Sequence, residues 1–453
     1  MIEKELDQLK NLVEKSAETK NQQALLDAIS SYDKLTTNDN QFPRLLYQKA
    51  EALDLLAQLE RSNKRLEQAI STFDQVLTLE KVSDNIFQSA GHRSVGLSKF
   101  RGWYDHAIEI QKQILSKFPD SVDEVNILGT LLLYVNKNSE AKIVFEQLLN
   151  KHPNDGYALV HLGFILKLEG SSNIKSQDLN EQNKLKRTLE KGAECLQKGI
   201  ATKEPGVLEG KFFFHLGDAL KRLGKTSEAD QVYHGAVEAG AIPSFWQRSL
   251  YNVNGLKAKP VWEVKELEIG NQLSAIRENW KLIRKEAQDI LDRNLYQMES
   301  ENLREIGRWA QYDLYRQGRK VEKNCKNAPI TCGLIDSVPQ ISKNRRGQVK
   351  FSWMEAGTHI HAHSGPTNCR LRAHLGLRIP ETPSHTKVSE STTKLRVADE
   401  YVTWKEGEMF VFDDSFDHEV WHDNPQKESR IVLILDLWHP ELTDHQKATL
   451  PAI

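Results

Sequence analysis

The chain has 453 residues, 27% of them charged and 8% aromatic, with a net charge of -2. That balance offers neither a nucleic acid nor a membrane surface a basic face to bind. No apolar run approaches the ~20 residues that span a bilayer, and the polar, helically patterned start MIEKELDQLKNLVEKSAETK has neither a signal-peptide core nor a transit-peptide composition.

Over residues 1–255 apolar residues recur at helical spacing, and a repeat is visible. Gly129, Ala141 and Phe145 step by 12 and 16, and Gly217, Ala229 and Tyr233 repeat those steps. Leu162-Gly163 follows Leu128-Gly129 by 34 residues, and Ala107 and Pro119 precede Ala141 and Pro153 by the same interval. Ala69 and Phe73 show the Ala-to-aromatic step once more, and a polar stretch near 171–190 reads as an insert that spaces Gly163 from Gly217. A period of 34 with small residues at fixed places is that of a tetratricopeptide-like superhelix. Each helix pair buries its apolar face only by stacking on its neighbours, and the stack offers a concave surface to an extended chain.

The texture changes after a linker-like NGLKAKPVW, so a second domain is expected over 256–453. LSAIRENWKLIRKEAQDILDRN predicts one amphipathic helix. Short β-rich runs follow: QVKFSWME, RLRAHLGLRIP, YVTWKEGEMFVF, DHEVWHD and SRIVLILDLW, separated by turn residues. Strands without intervening helices predict a sandwich or barrel, and an α+β multidomain chain overall. The end predicts a helix capped at Thr443. Cys325 and Cys332 bracket a short loop, and spacing leaves a bridge and two free thiols equally open.

Histidines 359, 361 and 363 alternate, which on a regular strand points all three to one face. His418 and His422 follow beside Asp413, Asp414 and Asp417. Imidazoles from two strand ends, with no thiolate set, point to a catalytic ion such as Fe(II), or less often zinc. The common iron facial triad reads His-x-Asp/Glu with a distant second His. Here Gly365 fills the carboxylate slot, and spacing alone supplies an acid only from the aspartates at 413–417. Arg370, Arg372 and His374 share one strand face, and Arg430 opens the last strand. Guanidinium forks at that density suit a small diacid.

HSGPTNCRLRAHLGLRIP, FDDSFDHEVWHD, FHLGDA, WQRSLYNVNGLKA, ENLREIG and RRGQVKFS resemble the aspartyl/asparaginyl β-hydroxylases, over most of the chain from about residue 60 onward. The resemblance implies a tetratricopeptide-like domain followed by a double-stranded β-helix (jelly-roll, cupin-like) oxygenase domain. It implies hydroxylation of the β-carbon of Asp or Asn in epidermal-growth-factor-like domains of protein substrates, with Fe(II), 2-oxoglutarate and O2 consumed and succinate and CO2 released. By resemblance His363 and His418 are the metal ligands and catalytic pair, with glycine in place of the third ligand. Trp309, Ser352, Arg372, His374 and Arg430 match 2-oxoglutarate contacts. Glu301, Arg304, Gln311, Lys350, Arg370 and Asp414 match residues around the peptide substrate. The resemblance also implies a Cys325–Cys332 disulfide and a place in the lumen of the endoplasmic reticulum. Two alternatives stand beside it: an inactive repeat scaffold, motivated by the missing carboxylate, and a zinc cupin acting as hydrolase or isomerase.

Overall fold

A computed structural model describes residues 2–38, 42–171, 178–299, 303–381 and 387–453. The chain divides into two compact units, Met1–Glu169 with Thr188–Val207, and Gly170–Arg187 with Leu208–Ile453. None of the described helices is long and apolar enough to cross a membrane.

The first unit is helical. Helices such as Asn63–Leu77, Asp84–Arg101 and Val122–Tyr134 begin at Ser62, Ser83 and Ser121, whose hydroxyls accept from the backbone N–H three residues on. The repeat has a steric cause. A Cβ on Gly129 would lie 2.4 Å from Phe145 Cζ, so the small residue is the floor on which the aromatic ring rests. Gly163 meets the backbone of Gly192 and Leu196 in the same way. The stretch read as a polar insert is partly helical, because residues 179–190 form the front of the helix Leu179–Thr202.

In the second unit, the helices Gly210–Arg222 and Thr226–Glu238 carry the Gly217–Tyr233 step. A Cβ on Gly217 would stand 2.2 Å from the Tyr233 ring. The segment predicted as one amphipathic helix is two, Gly270–Glu278 and Trp280–Asp292, broken at Asn279. The Asn279 side-chain amide donates back to Ala275 O, a local bond that competes with helix continuation. Helix Asp444–Thr449 is capped by Thr443 with Gln446 in a reciprocal box, as predicted.

Thirteen strands lie among the described residues: β1 Val261–Trp262, β2 Gln297–Met298, β3 Arg304–Ile306, β4 Trp309–Arg316, β5 Arg319–Lys320, β6 Gln348–Met354, β7 Thr358–His363, β8 Arg370–Arg378, β9 Thr393–Val397, β10 Glu400–Val402, β11 Met409–Phe412, β12 His418–His422 and β13 Arg430–Trp438. They make two antiparallel sheets. One runs β1-β11-β8-β13-β6-β4-β2, with β5 beside β4, and the other runs β10-β9-β12-β7-β3. The run YVTWKEGEMFVF is thus two strands in different sheets, β10 and β11.

Every residue of β13 is buried, and its parity sorts the two faces. Ile431, Leu433, Leu435 and Leu437 pack with Phe351, Leu371, Leu375 and the helix residues Ile276, Ile283 and Ile290. Val432 and Ile434 face the other way and join Trp309, Met354, Ile360, Leu395, Phe412 and Val420, an apolar layer drawn from both sheets. Polar groups on that inner face are therefore enclosed between the sheets.

Candidate metal and diacid site

His418 on β12 pairs in register with His363 on β7, and the two ring centroids are 4.2 Å apart. His363 Nδ1 lies 2.7 Å from His361 O, and His418 Nδ1 lies 2.8 Å from Phe416 O. A carbonyl only accepts, so each Nδ1 carries a proton, and when the ring is neutral its lone pair sits on Nε2. That is how a metal-binding imidazole is oriented by its protein. Burial, then the neighbouring His363, holds the His418 pKa well below its ordinary value, which keeps the ring neutral.

The expectation that His359, His361 and His363 share a face is corrected by a bulge. Ile360 pairs with Val420 and His359 with Trp421, but His363 pairs with His418, so one extra residue of β7 is accommodated between them. The slip moves His363 to the inner face. His359 stays outside, stacked on Trp421 and bonded to Glu419 at 2.8 Å.

The third coordination slot has a physical explanation. A Cβ at Gly365 would lie 2.5 Å from Asp414 Oδ2, and the Gly365 N–H already donates to Asp414 O at 2.6 Å. Asp414 is itself clamped. Arg370 Nε and Nη2 donate to its two oxygens at 3.2 and 2.7 Å, and Arg372 Nη1 stands 3.4 Å away. Arg372 also forks onto Asp436 at 2.7 and 3.0 Å. Burial works to raise both carboxyls, but Arg370 and Arg372 hold them below the usual range. Two cations and two anions thus close into a buried network. Asp414 sits where a ligand carboxylate would attach to the chain, and it is committed elsewhere. Of its neighbours, Asp413 is pushed up to about 8 by burial, and Asp417 pairs with Arg248 and Arg396. Among the described residues, no three His, Cys, Asp or Glu side chains converge to hold an ion.

Arg430 is 2% exposed and lies over the Trp404 ring at 4.0 Å. Its Nε and Nη1 have no hydrogen-bond partner, and burial alone lowers its pKa to about 9. A buried guanidinium without an acid is costly, so this one is built for an anion that arrives. His374 Nδ1 accepts from Trp404 Nε1 at 3.2 Å, which puts its proton on Nε2, and that buried Nε2 has no partner either. Burial, followed by the charges of Arg430 and Arg372, depresses the His374 pKa, and His418 adds a smaller push. Two unspent donors therefore flank the two metal-competent imidazoles, which fits an ion and a small diacid.

The register puts most other predicted site residues on that inner face. Ser352 pairs with Val432 and Gln311, and its Oγ accepts from Trp309 Nε1 at 3.0 Å. Lys350 Nζ donates to Gln311 Oε1 at 2.7 Å. Arg370, Arg372 and His374 pair with Trp438, Asp436 and Ile434. Arg304 sits apart on β3, donating to Gly307 O at 3.0 Å. Glu301 lies outside the described residues. Cys325 and Cys332 are joined in a disulfide. Sequence reasoning missed Trp404, Asp436, Arg248 and the two carbonyls that orient the histidines. Only Asp436 left a signal, as one acid inside the apolar run LILDLW.

Helical repeats joined to an antiparallel two-sheet domain, with paired imidazoles inside it, define the class, and comparison with known proteins places its second half more closely. Residues 277–440 match the profile described as aspartyl/asparaginyl beta-hydroxylase, and residues 50–82 match a tetratricopeptide repeat. The chain is 41% identical over 429 residues to the aspartyl/asparaginyl beta-hydroxylase of Homo sapiens, covering 94% of this chain and 53% of that protein. The Mus musculus protein of the same name matches at 41% over 94% of this chain and 54% of its own length. Aspartate beta-hydroxylase domain-containing protein 2 of Xenopus tropicalis is 36% identical over 32% of this chain and 38% of its own. Residues 277–440 thus carry an aspartyl/asparaginyl β-hydroxylase domain, and the chain spans about half the length of the full-named relatives.

Proposed function

We propose that this chain is a 2-oxoglutarate-dependent dioxygenase that hydroxylates the β-carbon of Asp or Asn in epidermal-growth-factor-like domains of protein substrates. The observation that carries the reading is the pairing of two Nδ1-tethered imidazoles with a buried guanidinium that lacks an acid. The site belongs to a double-stranded β-helix, with the two sheets as its walls. His363 and His418 would hold Fe(II) through Nε2, with no protein carboxylate from the position of Gly365. The bound iron supplies O2 activation coupled to decarboxylation of 2-oxoglutarate, with succinate and CO2 as co-products. Arg430 receives the far carboxylate of 2-oxoglutarate in a charge-assisted fork, and Ser352, held by Trp309, adds a hydrogen bond. His374 Nε2 donates into the same pocket, and Trp404 excludes water from beneath the guanidinium. Arg372 reaches the cosubstrate from within the four-charge network.

Lys350, Gln311, Arg370 and Asp414 face the peptide, Arg304 and Glu301 are assigned to it by resemblance alone, and Lys350 sets the substrate side chain within reach of the reacting centre. The disulfide and an extracellular type of substrate support the lumen of the endoplasmic reticulum as its compartment. The test is mass spectrometry of a growth-factor-like peptide incubated with the protein, Fe(II) and 2-oxoglutarate. One added oxygen per peptide, dependent on both additions, supports the proposal; an unmodified peptide with no succinate leaves a scaffold.

A further inference from the structure

Residues 246–253 lie across the loop that precedes His418 and the loop that follows His363. Gln247 forms an isolated bridge with Phe416, Asp417 N–H donates to Trp246 O at 2.6 Å, and Arg248 N–H donates to Ser415 O at 3.2 Å. Gln247 Nε2 reaches Ser415 Oγ at 2.9 Å. Phe416, in the middle of that stitching, supplies the carbonyl that orients His418. The same segment then takes up the loop after His363. Leu250 and Tyr251 N–H both donate to Pro366 O, at 3.2 and 2.9 Å. Thr367 Oγ1 donates to Tyr251 O at 2.6 Å, and Asn368 exchanges 2.9 Å bonds with both backbone groups of Val253.

One side chain locks the strap. Arg248 forms an ion pair with Asp417, the residue before His418, and both side chains are 2% exposed. The Arg248 guanidinium lies 4.1 Å over the ring of Tyr233, on the helix Thr226–Glu238. Arg396 holds the other Asp417 oxygen at 3.0 Å.

Resting on the two-histidine reading above, we infer that Gln247 and Arg248 are positioning residues that set the spacing of the metal ligands His363 and His418. A site with two protein ligands and no carboxylate has little to fix its geometry, so the task falls to whatever spans the two loops. The strap is the structure's answer, and the last helix pair reaches the metal site through it. Groups that orient metal ligands typically change affinity by about 10–100-fold when removed.

The test is Co(II) binding to the full chain, followed by titration and by the cobalt absorption bands, with thermal unfolding in parallel. Wild type should bind one Co(II), and His363→Ala should lose it. Arg248→Met should raise the dissociation constant about tenfold or more and shift the bands, Arg248→Lys should recover part of both, and Arg284→Met, remote on the Arg284–Glu406 pair, should match wild type. Gln247→Ala removes only the bond to Ser415 and should weaken binding in the same direction, which decides the question should Arg248→Met not fold. Wild-type cobalt affinity and spectrum in the strap variants would overturn the inference. Unchanged binding in His363→Ala would overturn the two-histidine reading instead.

Discussion

Replacing Arg430 by Met separates binding from stability. In the folded protein this guanidinium is buried, has no acid partner, and leaves Nε and Nη1 unbonded. Keeping an unpaired ion out of water costs several kcal/mol. The contact with Trp404 at 4.0 Å returns about 2 kcal/mol of that in a desolvated setting. Methionine fills much of the same volume and keeps the ring contact without the charge. The ligand-free variant should therefore unfold at the same temperature as wild type or higher. Binding moves the other way. Two charge-assisted bonds to a carboxylate are worth at least about 3 kcal/mol together, or a rise of about a hundredfold in the 2-oxoglutarate dissociation constant. Anaerobic calorimetry with Mn(II) present gives the affinity, and scanning calorimetry without ligand gives the stability. An unchanged 2-oxoglutarate affinity, or a ligand-free variant that unfolds well below wild type, would refute the reasoning.

Gly365→Asp writes the common triad back into the chain, yet it should weaken metal binding by tenfold or more, because the new Cβ meets Asp414 Oδ2 at 2.5 Å and drives it from Arg370; metal titration reads the sign. His422 donates from Nε2 to Glu428 O and accepts from Thr393 at Nδ1, and burial, with the charge of Arg430, lowers its pKa to about 4. Its folded-state value lies below the ordinary one, so its stabilisation is complete above about pH 6.5 and is lost as pH falls toward 4, at about 1.4 kcal/mol per pH unit. His422→Gln keeps both bonds without titrating and should flatten the loss seen in unfolding between pH 7 and 4.5. Gly129→Ala gains about 1 kcal/mol of helix propensity but must displace the fully buried Phe145 ring, at about 3 kcal/mol. Its melting temperature should fall, and Phe145→Leu in the same chain should restore most of it.

The helical period was legible because a steric rule writes it: Gly129 faces Phe145 and Gly217 faces Tyr233, so the same residue types recur at the same steps. Strand parity was legible too, since alternation alone puts Arg370, Arg372 and His374 on one face. The bulge in β7 was not. It shifts His363 against His359 by one residue, and nothing in HIHAH distinguishes a bulged strand from a regular one. The break at Asn279 was hidden by an apolar pattern that runs across both helices. What fills the space beside Gly365 was likewise invisible, because Asp414 arrives from 49 residues away and its commitment to Arg370 exists only in the folded chain. The strap at 246–253 left no signal, as most of its bonds use backbone groups.

The central claim is a metal held by two imidazoles and no protein carboxylate. Anomalous diffraction from crystals grown anaerobically with Fe(II) and 2-oxoglutarate tests it most directly. The account predicts one peak per chain, bonded to Nε2 of His363 and of His418, with the cosubstrate's far carboxylate on Arg430. A peak ligated by Asp413, Asp414 or Asp417, or the absence of any peak between the two rings, would contradict it.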